Sequence, residues 1–195
     1  MKKYEFTNKT LEIDGVLLHQ IRRLLDGFIG GWIECEDNLS HEGDCFVYDD
    51  ACVFGNARVC NNARICENAR VCDHACVFGS ARVFDKAMVF DKAMVRNKAR
   101  VFGNSRIYGN AWVYDNACVF DNAWVSGNAR VSGNAWVFNI AWVYGDARVN
   151  GYARIFGNAH VFGHALVRDD ASVAGYARVK CGDTCVDNSE RKEGE

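Results

Sequence analysis

Between residues 45 and 180 the apolar positions recur every six residues, with no insertion or deletion. The unit reads Ala-x-Val-aromatic-Gly/Asp-Asn, with Ala57-Arg58-Val59-Cys60-Asn61-Asn62 as one copy. Valine positions run from 47 to 179, giving 23 hexads, of which 20 hold Val and the rest hold Ile65, Ile107 and Ile155. The position two residues earlier is Ala in 21 of the 23, with Cys45 and Ser105 as exceptions. Ala and Val at i and i+2 share one side of an extended segment, because side chains alternate along a strand. A β-branched column favours strand over helix. A period of six fits neither the 3.6-residue helical turn nor the longer strands of a meander. Gly-Asn or Asp-Asn pairs supply corners, since Gly and Asn both tolerate left-handed backbone angles. The pattern predicts short strands separated by corners, coiled so that each turn hydrogen-bonds to the next around a dry Val/Ala interior.

This pattern resembles the hexapeptide-repeat family. The resemblance implies an all-β, left-handed parallel β-helix of triangular section, with three hexads per coil and about 7–8 coils here. Upstream, Val16-Leu17-Leu18, Gly30-Gly31-Trp32-Ile33, Asn38-Leu39-Ser40 and Gly43–Asp49 resemble the N-terminal cap of the YdcK-type proteins. Those are acyltransferase-like members of the trimeric LpxA-like class, which implies a trimer or dimer and, for an enzyme, acetyl-CoA as donor. Three segments follow: a small β cap over 1–44, the solenoid over 45–180 and a charged tail over 181–195 expected to fray. Asp14-Gly15 predicts a hairpin turn between Thr10–Ile13 and Val16–Ile21. The cap is expected to plug the first coil, since an open end exposes unpaired strand edges.

With 18 residues per coil, positions 18 apart stack on one face. The first face carries Phe84, Phe102, Phe120, Phe138 and Phe156 in succession, beside Arg82, Arg100, Trp136 and Arg154. The second face stacks Trp124, Trp142 and His160 beside Ser126, Tyr144 and Phe162. The third is more polar, with Trp112 and Tyr114 near Arg130, Arg148 and Arg168. Stacked aromatics serve as ladder stabilisers, and a continuous strip of them also reads as an interface. The expected binding residues are therefore the five phenylalanines with Trp124, Trp142 and Tyr144.

Charge narrows the partners. The solenoid carries 16 Lys+Arg against 11 Asp+Glu, the first 44 residues 5 against 9, and the tail 2 against 5. Lys86, Lys92 and Lys98 collar one coil, with Asp85 and Asp91 beside two of them. No nucleic-acid module is recognisable and no apolar run reaches the ~18 residues of a membrane helix. Neither a specific nucleic acid nor a membrane is an expected partner. Met1-Lys2-Lys3-Tyr4-Glu5 leads into no apolar leader, so the 10 cysteines read as reduced thiols and the location as cytoplasmic. Cys181 and Cys185 can bridge or hold a metal, but two ligands make a weak zinc signal, and no metal is expected.

Acyltransferases of this class use a histidine base. Of His19, His41, His74, His160 and His164, only His160 falls on a strand face with aromatic neighbours, so it is the one catalytic candidate. No loop leaves the solenoid to wall off a donor pocket. The leading reading is a non-catalytic scaffold that self-associates or binds a protein through its aromatic faces, without a cofactor. The alternatives are an acetyl-CoA-type acyltransferase working at subunit interfaces and a carbohydrate- or surface-binding module.

Overall fold

The computed structural model describes residues 1–180 and 184–185. It is an all-β parallel solenoid of about 8 turns. A hairpin of β1 (Tyr4–Ile13) and β2 (Val16–Arg23) is followed by β3 (Ile29–Ile33) and a 3-10 turn at Glu36–Asn38. Two-residue strands then run from β4 (Phe46–Val47) through β26 (Arg178–Val179) to β27 (Thr184–Cys185). Each hexad contributes one strand. Pairing steps by 18 residues, as in Val83 with Val101, Val101 with Val119 and Val119 with Val137, so three hexads make a coil.

The strands form three sheets. Face I runs from Phe46–Val47 to Ser172–Val173, face II from Cys52–Val53 to Arg178–Val179, and face III from Arg58–Val59 to Thr184–Cys185. The hexad valines and alanines are buried in one continuous cluster, except the half-buried Ala177 that packs against its end. Ser105 keeps its Ala-type position by donating its hydroxyl to the Phe102 carbonyl at 2.8 Å.

The corners depend on one backbone conformation. All 22 residues at the second position after the Val column, from Asp49 to Gly175, have positive φ. Eleven are Gly and ten are Asp or Asn, the types that tolerate the left-handed region. The left-handed residue is the first of each corner pair; the Asn that follows does not share it. At Gly103 a Cβ would come within 2.7 Å of the Asp121 backbone in the next coil. Where the corner is acidic or an amide, its side chain turns along the axis. In nine cases it accepts the backbone N–H of the corner residue one coil on, as Asp85 does from Gly103 and Asp91 from Gly109 at 2.9 Å.

Parallel stacking begins before the hexads do. Ile33 pairs with Val53 and Leu39 bridges to Val59, with two extra residues absorbed between Leu39 and Val47. The β1–β2 turn falls at Asp14 and Gly15, both at positive φ, as the turn signal predicts. Tyr4 and Ile21 from the hairpin join the core, and the Tyr4 hydroxyl donates to the Leu39 carbonyl at 2.8 Å. The cap also covers positions that face outward by alternation. Phe46 is buried beneath Phe28 and Arg23, and Cys52 keeps only 3% exposure.

Candidate functional site

In-register parallel stacking forces equivalent side chains into repeated conformations about 4.8 Å apart. On face I the rings of Phe84, Phe102, Phe120, Phe138 and Phe156 follow one another at 4.7, 4.9, 4.9 and 5.1 Å, within 9° of parallel. The three inner rings have both faces against neighbours and the two end rings one, which leaves edges for the outside, and all five are half-buried. Arg100 lies 5.6 and 5.4 Å from the Phe84 and Phe102 rings. Trp136 stands edge-on to Phe120 at 6.0 Å, with Arg154 5.5 Å from its ring.

Face II is built from shorter stacks. Phe90 meets Tyr108 at 5.0 Å, Trp124 meets Trp142 at 4.8 Å, and Tyr144 meets Phe162 at 5.1 Å. His160 is half-buried among them, 5.1 Å from Trp142 and 6.2 Å from Tyr144, so its setting is a ring ladder. On face III, Arg96 and Arg130 bracket Trp112 at 5.3 and 5.1 Å.

The structure adds corner residues to those of the strand columns. Within the solenoid the exposed large apolar side chains are Trp136 (44%), Ile140 (46%), Trp142 (39%), Tyr152 (64%) and Tyr176 (85%). Trp136 lies on face I, while Ile140, Tyr152 and Tyr176 occupy corners bordering it; Trp142 follows the Ile140 corner onto face II. The usual residue at that corner position is Asn, which ladders to its neighbour, as Asn104 does to Asn122 at 3.3 Å. The fold does not require Ile or Tyr there. That departure is visible in the sequence once the corner column is read separately from the strand columns.

The other histidines are dispersed. His41 stacks on Tyr4 at 4.3 Å and accepts the Lys3 N–H through Nδ1 at 3.2 Å, with Glu36 3.8 Å from Nε2. His19 packs on Phe6 at 5.1 Å. His74 and His164 are corner residues, the latter 3.9 Å from Asp146. The eight cysteines from Cys35 to Cys118 are free. Burial pushes the Cys52 thiol up to about 11 and the Cys72 thiol up to about 12, so both stay protonated at neutral pH. The expectation for Cys181 and Cys185 as a pair falls outside the described residues. Among the described residues no group of His, Cys, Asp and Glu is arranged to hold a metal ion.

A cleft of about 600 Å³ lies between the cap and the top of face I, lined among others by Lys3, Arg23, His41, Phe46, Tyr48 and Arg64. Lys3 Nζ is committed there to the Gly43 and Cys45 carbonyls at 3.2 and 2.7 Å.

A family model described as the YdcK beta solenoid repeat matches residues 123–139. The match falls on the hexads that include Trp124 and Trp136. Together with the eight-turn architecture it fits a YdcK-type solenoid. No curated protein matches the chain. No helix among the described residues is long and apolar enough to cross a membrane.

Proposed function

We propose that the chain is a non-catalytic interaction scaffold whose working surface is face I with its bordering corners, and that it self-associates through that surface. The observation that carries this reading is the gathering of Trp136, Ile140, Tyr152 and Tyr176 around the phenylalanine ladder, at positions where the repeat needs none of them. Within the phenylalanine ladder the ring faces are turned to one another and the edges outward. This geometry suits apolar side chains of a protein partner better than sugar rings or bases, which stack on free faces. Exposed apolar patches of this kind mark contact sites.

The acyltransferase alternative needs a histidine poised beside an acyl donor. His160 is instead held between indole and phenol rings on a flat face. The test uses substitutions that return positions to residues the repeat already carries: Trp136→Ser with Ile140→Asn and Tyr152→Asn. The parent should sediment above the 21.8 kDa of one chain, and the triple variant should fall toward that mass with an unchanged far-UV circular dichroism spectrum. A parent that runs as a single chain refutes the reading. So does micromolar coenzyme A binding that His160→Ala abolishes, which would establish the enzyme alternative.

A further inference from the structure

Resting on the reading of face I as the contact surface, we infer that its occupant is a second copy of this chain in antiparallel orientation, related by a two-fold axis that crosses the solenoid at Cys118 and Phe120. The ladder itself is symmetric. Counting along face I, the residue after the buried Val or Ile reads Cys66, then the five phenylalanines, then Ala174. Its midpoint is Phe120, with two rings above, two below and a small residue at each end.

Two copies of one flat face can be joined by a two-fold axis in the contact plane in two ways. An axis along the solenoid crosses the columns at equal height. It sets the Arg82 guanidinium against Phe84, Arg100 against Phe102 and Arg154 against Phe156. Those rings present their edges, the positive end of the ring quadrupole, so each cation would lose water to meet the wrong part of the ring. An axis across the solenoid matches the ladder to itself: Phe84 to Phe156, Phe102 to Phe138, and Phe120 to its own copy. Apolar edges then meet apolar edges. Arg64 comes to the height of Ser172, next to the Asp170 corner, which gives it an opposite charge. Arg100 comes to the height of Trp136. Like charges meet at Arg82 with Arg154, toward the margin where Tyr152 offers a ring, and at the axis, where the Asp115 and Asp121 corners come opposite their own copies with their carboxylates turned along the solenoid to the Gly133 and Asn139 amides.

The area is sufficient. Overlap of the coils from Arg64 to Ser172 spans about 34 Å of height, and six residues of extended chain span about 20 Å of width. That is about 680 Å² per copy and ~1,350 Å² in all, within the usual range for a specific interface.

The axis brings the two copies of Cys118 face to face, whereas Cys66 comes opposite Ala174. Two sheets pack about 10 Å apart, a gap a disulfide does not span but a short bismaleimide does, each arm adding one thiol across its double bond. The full-length protein is treated with such a reagent at mildly alkaline pH, because burial holds the Cys118 thiol above its ordinary value. Peptide mapping should find a Cys118–Cys118 link. Cys118→Ser should lose that link and keep the parent's mass in solution. A dimer that yields no Cys118–Cys118 link, or that yields a Cys66–Cys66 link as a parallel pair would, overturns the antiparallel arrangement and leaves the scaffold reading standing. A protein that stays a single chain at all concentrations overturns both.

Discussion

Asn38 braces the cap with two hydrogen bonds to its backbone and joins it to the first coil with two more, and replacing it tests how much of the solenoid's stability rests on that joint. The side chain is buried. Its Oδ1 accepts the Glu34 and Cys35 backbone N–H groups at 3.1 and 2.9 Å. Its Nδ2 donates to the Gly55 and Ala57 carbonyls at 2.9 and 3.0 Å. Asn38→Ala strands two donors and two acceptors. At a net ~1 kcal/mol each the loss is about 4 kcal/mol, with a span of about 2–6. For a chain of this size each kcal/mol shifts Tm by about 2–4 °C, so the variant should melt about 8–16 °C earlier. The loss is local, because repeat proteins are stabilised by nearest-neighbour contacts. Amide exchange should therefore accelerate at Glu34 and Cys35 well before it does at Val119. Asn38→Asp should be no better, since it sets a carboxylate oxygen against the Gly55 and Ala57 carbonyls. Thermal melts followed by circular dichroism, with hydrogen exchange read residue by residue, measure both effects. An Asn38→Ala protein that melts within about 2 °C of the parent would refute the reasoning.

Two further perturbations probe the interior and the corners. Val119→Asp places an unpaired carboxylate in the dry column and should cost several kcal/mol; a melt within a few degrees of the parent would mean that Val119 does not point inward. Glu67 is stacked between Asp49 and Asp85 at one corner, and sharing a proton with the Asp85 carboxyl, then loss of water and the neighbouring negative charge, hold its carboxyl above the usual range despite the Asp85 N–H that it accepts. An acid with a raised folded pKa loses protons more readily when unfolded, so its contribution falls as pH rises through the carboxylate range. Glu67→Gln should therefore melt above the parent at pH 7, and the gap should close toward about pH 4; an equal difference at both values would rule out this origin.

The parts of the fold that were legible beforehand are those written in local periodicity. Val119 and Ala117 face inward because strand alternation leaves them no other side, and Asp14-Gly15 turns because two left-handed residues in a row make that turn. The faces needed one more number, the three hexads per coil, which came from the resemblance rather than from the hexad itself. Burial imposed by a distant segment was not legible. Nothing near Phe46 or Cys52 announces that chain from the cap covers them. Lys86 and Lys92 are the adjacent charges in the chain for Asp85 and Asp91, yet the carboxylates turn along the axis to backbone amides. Ile140, Tyr152 and Tyr176 stood in plain view in the sequence. Turn chemistry dominates the corner positions and masks a surface role carried by the same column.

The core and the surface of this molecule count in different units. The Val column is satisfied by any multiple of six, because every side of the coil offers the same interior. The phenylalanine ladder is satisfied only by multiples of eighteen. Removing one hexad from the middle of the chain would leave a well-packed solenoid whose downstream faces have all rotated by one side, with Phe120 no longer beneath Phe102. Removing a whole coil would shorten the molecule by about 4.8 Å and keep its faces aligned. Genetic slippage can therefore lengthen or trim such a protein without unfolding it, and only the function carried by its outer columns distinguishes a permitted edit from a ruinous one.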